Sequence, residues 1–244
     1  MVAIEAEAHT PQDALAGIES AYSVIAQVEN LMHPTRAGGD LLAIRQGTLG
    51  LPIALHAWTW EVLALSHRLN QASKGAFDPC LPSATGRLGD LEFVLPHFVI
   101  AHRPLHIDLG GIAKGYAVDR SLMALRAAGC HGGLVNAGGD LAVFGERVHS
   151  VVIRSSRTGD HAIELKNAAL ATSDVCGAAR PPEHRGYYRG GDRREIRSGS
   201  VSVSAANAAL ADALTKCLLA AQGRSGEALL HMFGARLITC DIDS

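Results

Sequence analysis

Apolar residues recur at steps of three and four along three stretches of the chain, which is the spacing of one face of an α-helix. These stretches predict helices over residues 12–32, 55–72 and 113–128. Shorter apolar or alternating runs, typical of strands, lie at residues 1–7, 94–95, 98–100, 148–154, 161–165, 200–203 and 235–240, and a further apolar run ends on Asp108. A helix over 206–221, followed by a shorter one, completes a chain in which helices and strands both recur.

The composition is that of an ordinary globular protein. Of the 244 residues 48% are hydrophobic, enough for a sizeable core, and the formal net charge is only −2. No surplus of basic residues favours nucleic-acid binding, and no apolar run is long enough to span a bilayer. The five cysteines form no C-x-x-C pair, and the first residues carry acids rather than an apolar signal sequence. These features predict a protein of a reducing compartment, the cytoplasm.

Two glycine turns flank the helix predicted at 113–128. The first, a Gly-Gly pair at 110–111, allows positive φ and lets a ligand approach the backbone closely. The start of the helix favours phosphate or another anion, and Lys114 in its first turn adds a positive charge. The second turn carries Asn136 and Asp140 beside a bare backbone, so the two turns could form two walls of one pocket. The simpler interpretation is that they only connect strands to a helix, since neither a P-loop nor GxGxxG in a strand-to-helix context is present.

The sequence DLGGIAKGYAVD at 108–119, followed by LVNAGGDLAVFG at 134–145, resembles the signature motifs of the ApbE family, the FAD:protein FMN transferases. A third segment, GAFDP at 75–79, resembles another motif of that family. The resemblance extends over residues 28–219. It implies an α+β fold, with one domain over residues 1–244 in which helices flank a mixed or antiparallel sheet.

The resemblance also implies which residues form the site. Those implied for binding FAD are Ala76, Phe77, Asp78, Asp108, Lys114, Asn136, Asp140 and Thr172. Those implied for Mg²⁺ are Asp212, Thr215 and the backbone carbonyl of Gly111, and the catalytic candidates are His184 and Asp212. Taken without the resemblance, GAFDP is the end of a helix followed by a phenylalanine of the core.

Three features depart from the family pattern. Lys216 stands where the family has a threonine that shares the metal with Asp212, four residues earlier on the same helix face. An ammonium there repels Mg²⁺ and could stand in for its charge, whereas Thr215, three residues after the acid, is a weaker substitute ligand. The family's D-P-x-T-G segment is missing before the strand at 200–203, and Thr35 stands where an aromatic residue is expected.

The activity implied by the resemblance is the cleavage of the FAD pyrophosphate. The FMN half passes to a Thr or Ser hydroxyl of a target flavoprotein through a phosphoester bond, and AMP is released. FAD is then the substrate, Mg²⁺ the cofactor and the acceptor flavoprotein the partner. The departures leave an alternative open, an FAD-binding protein or slow FAD pyrophosphatase without transferase activity. A structural module without a ligand would leave both glycine motifs unused.

Overall fold

The computed structural model describes residues 1–154, 159–175, 199–220 and 225–242. The helices are α1 (Pro11–Met32), α2 (Asp40–Gln46), α3 (Ala57–Ala72), α4 (Ala113–Ala127), α5 (Ala208–Ala220) and α6 (Ser225–Met232), with a single 3-10 turn at Leu88–Asp90. The strands are β1 (Val2–Glu7), β2 (Pro52–Ala54), β3 (Leu91–Val94), β4 (Phe98–Ala101), β5 (Gly132–Ala137), β6 (Asp140–Phe144), β7 (His149–Ile153), β8 (His161–Leu165), β9 (Ala169–Asp174), β10 (Gly199–Ala205) and β11 (Arg236–Ile242). None of the helices in these ranges has the length and apolar character needed to cross a membrane.

Six strands form the main sheet, in the order β1-β5-β6-β9-β10-β11. A small sheet has the order β2-β4-β3, and β7 pairs with β8 as the alternating pattern predicts. Every strand pairing within the described ranges is antiparallel. The predicted α+β class with flanking helices is confirmed, and its sheet is antiparallel.

Strand β6 shows how the sheet is covered on both faces, because successive residues of a strand point to opposite sides. Ala142 and Phe144 pack with apolar residues of α4, whereas Leu141 and Val143 pack with Ile153 and other residues of the β7–β8 hairpin. All five residues of β6 are buried. A strand buried on both faces lacks the alternation of apolar and polar residues, which explains why the sequence pattern did not predict β6.

Helix α4 packs against both α1 and α5, and its backbone comes very close to the start of α5. A Cβ atom added at Gly115 would lie 2.2 Å from the carbonyl oxygen of Ala208, so only glycine permits this approach. Helix α5 is almost wholly buried and packs on β9 and β10. The glycine of the motif therefore sets the position of α5, which carries the predicted metal ligands.

One local prediction was wrong, and one backbone conformation that the sequence permits is not adopted. The apolar run before Asp108 is not a regular strand, because its only strand-like pairing in the described structure is a single bridge between Cys80 and Ile107. The glycines with positive φ include neither Gly110 nor Gly111. This turn is instead closed by the Asp108 side chain, which accepts a hydrogen bond from the Gly110 amide at 2.8 Å. Helix α2, only seven residues long, was too short for its periodicity to predict it.

Candidate functional site

The two glycine turns border one cleft, as predicted from their positions around α4. Its volume is about 430 Å³. Val28 and Met32 of α1 line it with apolar side chains, and Asp108, Lys114 and Gly138 also line it. The cleft therefore combines an apolar surface with a cationic side chain.

The GAFDP loop lies directly beside the first turn. The Asp108 amide donates to the carbonyl of Pro79 at 2.9 Å, which joins the two motifs. Asp78 is buried, and its Oδ1 accepts from the Cys80 amide at 2.9 Å, so this carboxylate closes the turn after the loop. Ala76 is only half-buried and is the one residue of Ala76–Asp78 with a clearly exposed fraction.

Phe77 was expected to contact FAD, and its ring is not available for that contact in this structure. The side chain is completely buried in the main hydrophobic core. Its backbone is held on both sides, with the amide donating to Ser73 Oγ at 3.0 Å and the carbonyl accepting from Asn70 Nδ2 at 2.7 Å. For the ring of Phe77, the simpler interpretation of this segment is the correct one: a helix end followed by a phenylalanine of the core.

The second turn is built by its glycines and by Asn136. Gly138 and Gly139 have φ of 66° and 102°, values that L-residues with side chains rarely adopt. Asn136 Oδ1 accepts from the Gly139 amide at 3.1 Å and so stabilises the turn. The Gly139 carbonyl accepts from the Thr172 amide at 3.2 Å, and the Thr172 hydroxyl contacts Ser202 Oγ at 2.9 Å. Thr172 is thereby placed against the turn.

Asp140 begins β6 and carries a fully buried carboxylate. Its Oδ2 lies 2.5 Å from Lys114 Nζ, and the Lys114 side chain is half exposed towards the solvent. The other oxygen, Oδ1, has no hydrogen-bond partner in the described part of the chain. Burial raises the pKa of Asp140 to about 6, and the charge of Asp212 adds to that rise. The positive charges of Lys114 and Lys216 act in the opposite direction.

Asp212 forms a second buried ion pair, within α5. Lys216 Nζ donates to Asp212 Oδ1, and the two side chains are 2% and 0% exposed. Asp212 Oδ2 accepts from the Gly115 amide at 3.3 Å. The predicted anion preference at the start of α4 is thus met in part by a carboxylate of the protein itself.

Thr215 turns its hydroxyl to its own helix. The Thr215 Oγ1 donates to the backbone carbonyl of Asp212 at 2.7 Å and lies 2.6 Å from Ser173 Oγ. A hydroxyl has one proton to donate, so Ser173 is the donor in the second contact. This arrangement holds α5 against β9.

The sequence profile of the ApbE family matches residues 2–237. The chain belongs to the ApbE family. A search of curated protein sequences found no match.

Three solved ApbE structures share the fold. The flavin transferase ApbE from Vibrio cholerae has a TM-score of 0.83 at 20% identity, over 97% of this chain and 88% of that one. The flavinyl transferase ApbE from Pseudomonas stutzeri has a TM-score of 0.79 at 20% identity, over 96% and 85%. An ApbE protein from Thermotoga maritima gives 0.79 at 19% identity, over 99% and 92%. The fold is therefore that of the family across nearly the whole chain.

The residues predicted to hold Mg²⁺ do not fit that ion in this ApbE chain. Mg²⁺ requires oxygen ligands in near-octahedral geometry. One oxygen of Asp212 is taken by the ammonium of Lys216, the other by an amide, and the Thr215 hydroxyl is used inside the protein. In the part of the chain that the structure describes, no group of three or more acidic, histidine or cysteine side chains is placed to hold a metal. Gly111 is buried, and its role as a carbonyl ligand stays a prediction.

Of the two catalytic candidates, only Asp212 lies within the described residues. His184 lies outside the described residues. Asp212 is fully buried and both its oxygens have partners, so its role as a base for a substrate hydroxyl stays a prediction.

The sequence reasoning missed the function of Asp119 in building the site. Its two oxygens accept from the Ala208 and Ala209 amides at 2.7 and 2.8 Å, which caps the start of α5 from α4. Burial raises the pKa of Asp119 to about 6, and the charge of Asp212 contributes to that rise. The signal was present, because Asp119 is the last residue of the motif DLGGIAKGYAVD. The contribution of Val28 and Met32 to the cleft was also missed, although both belong to the apolar stripe of α1.

Proposed function

We propose that this chain is an FAD:protein FMN transferase. Membership of the ApbE family supports the reaction class, and three similar structures are described as ApbE proteins, two of them as flavin or flavinyl transferases. The observation that carries the proposal is the cleft where the two family motifs meet. We also propose that residues 1–244 act as one domain, while the cytoplasmic location stays a prediction from the sequence.

The cleft has the chemical character that FAD requires. The isoalloxazine ring of FAD is flat and largely apolar, and its pyrophosphate is anionic. The apolar lining residues Val28 and Met32 suit the ring, and the ammonium of Lys114 suits the pyrophosphate. The volume of about 430 Å³ lies within the range of about 300–1,000 Å³ typical of small-molecule sites.

The proposed transfer exchanges one phosphorus–oxygen bond for another. The oxygen of an acceptor Thr or Ser hydroxyl bonds to the phosphorus of the FMN half. The bond from that phosphorus to the bridging oxygen breaks, AMP leaves with the bridging oxygen, and the hydroxyl proton is released. Lys114 would stabilise negative charge on the phosphates, and its salt bridge to the buried Asp140 holds it in position. His184 and Asp212 remain the candidates for accepting the proton.

A second candidate function is FAD binding, or slow FAD hydrolysis, without transfer to a protein. The observation that favours it is Lys216, whose ammonium contacts one oxygen of Asp212, a residue that was expected to bind Mg²⁺. If the family reaction depends on that ion, this chain would bind FAD without transferring FMN.

The test is an incubation of the purified protein with FAD and a small flavinylatable acceptor domain. The acceptor is then separated on a denaturing gel and its flavin fluorescence is read. We expect a fluorescent acceptor band, and no band when the acceptor Thr or Ser is changed to Ala. Bound FAD without a band would instead support the second candidate.

Binding itself is tested by thermal melting with FAD. A ligand that binds only the folded state stabilises it, so saturating FAD should raise the melting temperature. Asp78→Ala should reduce that rise, because Asp78 orders the loop joined to the Asp108 turn. The absence of any rise with saturating FAD would refute the assignment of the cleft.

A further inference from the structure

The region predicted to hold a metal is already filled by groups of the protein. Lys216 donates to one oxygen of Asp212, and the Gly115 amide donates to the other. Thr215 contacts Ser173 and donates to its own helix backbone. The i, i+4 spacing on α5 is what brings the ammonium to the carboxylate, since side chains four residues apart share a helix face.

Two buried carboxylates of this region, those of Asp140 and Asp212, each have a cationic partner without a metal. Asp140 and Asp212 are both fully buried, and each is paired with a lysine, Lys114 or Lys216. When all four groups are ionised, the two positive charges offset the two negative ones. A divalent cation added next to Lys216, without a further anion, would leave positive charge uncompensated in a region of low dielectric, which is unfavourable.

We propose that Lys216 is a built-in cation that takes the metal position of this ApbE chain. Asp212 and Thr215 then bind no divalent ion, and FAD binds without one. The part that concerns FAD rests on the proposed function. The part that concerns Asp212 and Lys216 does not, because it follows from their own contacts.

One atom of Asp140 could still bind a metal, which would contradict this proposal. Its Oδ1 is buried and has no hydrogen-bond partner in the described residues. A divalent ion entering the cluster would have to take this atom, or displace Lys216 from Asp212. The test must therefore include both acids.

The first arm measures Mn²⁺, a paramagnetic substitute for Mg²⁺, by electron paramagnetic resonance of the free ion in the presence of the protein. The wild type should bind no Mn²⁺ that depends on Asp212 or Asp140. Stoichiometric binding in the wild type that is lost in either Asp212→Asn or Asp140→Asn would overturn the proposal. Binding that persists in both variants lies elsewhere on the protein and leaves the cluster free of metal, as proposed.

The second arm creates the missing metal site. Lys216→Thr removes the ammonium and supplies the hydroxyl that the family has at this position. Mn²⁺ should raise the melting temperature of this variant but not that of the wild type. Lys216→Met, which also removes the charge but offers no oxygen, is the matched control and should gain less. An equal rise in the wild type and Lys216→Thr would contradict the proposal, and the wild-type resonance measurement decides it even if Lys216→Thr does not fold.

The third arm separates this inference from the proposed function. The dissociation constant for FAD is measured by flavin fluorescence in EDTA and in excess Mg²⁺. We expect the two values to agree within about twofold, a difference of less than about 0.5 kcal/mol. FAD binding that is about tenfold or more weaker in EDTA would overturn the inference while supporting the proposed function. No FAD binding in either buffer would refute the proposed function, and the Mn²⁺ arms would still decide the role of Lys216.

Discussion

Replacing Lys216 with methionine leaves Asp212 as a buried carboxylate without its cationic partner. The two side chains are 2% and 0% exposed, so water cannot take over the role of the ammonium. Removing one partner of a buried ion pair destabilises a protein by about 3–5 kcal/mol. The Gly115 amide still donates to Asp212 Oδ2, so we expect the lower end of that range, about 3 kcal/mol. For a domain of this size that corresponds to a fall in melting temperature of about 6–12 °C.

The assay is urea denaturation followed by circular dichroism, in EDTA, on a double-mutant cycle. Its members are the wild type, Lys216→Met, Asp212→Asn and the double variant. Because the double variant has no unpaired buried charge, it should be more stable than Lys216→Met. A loss of less than about 1 kcal/mol for Lys216→Met, the value typical of an exposed pair, would refute the reasoning. So would a double variant whose loss is simply the sum of the two single losses.

Three further predictions concern the neighbourhood of α4. Gly115→Ala would place a Cβ 2.2 Å from a carbonyl oxygen of α5 and should lower the free energy of unfolding by about 3 kcal/mol or more. Gly89→Ala is the control, because a Cβ there meets open space, and it should change the free energy of unfolding little in the same urea titration. Lys114→Gln should weaken FAD binding about tenfold in a fluorescence titration, because it removes the cation at the cleft. Lys166→Gln, outside the cleft lining, is the control and should leave FAD binding unchanged. Burial raises the folded-state pKa of Asp119 to about 6, so the folded protein binds this proton more tightly than the unfolded chain does. The stability gained from binding the proton is complete below about pH 4 and is lost as the pH rises through about 6. The stability of the wild type relative to Asp119→Asn should therefore rise by about 1–3 kcal/mol from pH 7 to about pH 4, and a difference that stays constant or grows with pH would contradict this sign.

The helices could be predicted because their apolar residues follow one face. The stripe on α1 predicted a helix over 12–32, and the structure has it at Pro11–Met32. Strand β6 could not be predicted from alternation, because it is buried on both faces and its apolar and polar residues do not alternate. The backbone of the turn at 110–111 could not be predicted, since a glycine pair permits positive φ but does not require it, and neither glycine adopts it.

The sequence indicates some of the contacts between the candidate site residues but not others. Lys216 and Asp212 are four residues apart on a helix, so their proximity follows from the sequence. Their burial does not, because it depends on α5 being enclosed by α4 and the sheet. The pair of Lys114 with Asp140 joins residues 26 apart and exists only because β5 and β6 fold back beside α4. Phe77 was expected to contact FAD because it belongs to a family motif, but its ring lies in the hydrophobic core.

The central claim is tested most directly by measuring both products of the transfer together. The protein is incubated with FAD and an acceptor domain in EDTA, the intact mass of the acceptor is measured, and released AMP is quantified by chromatography. The account predicts an acceptor heavier by one phosphoester-linked FMN and an equal amount of AMP. An acceptor of unchanged mass in both EDTA and Mg²⁺, with FAD bound to the protein, would contradict it.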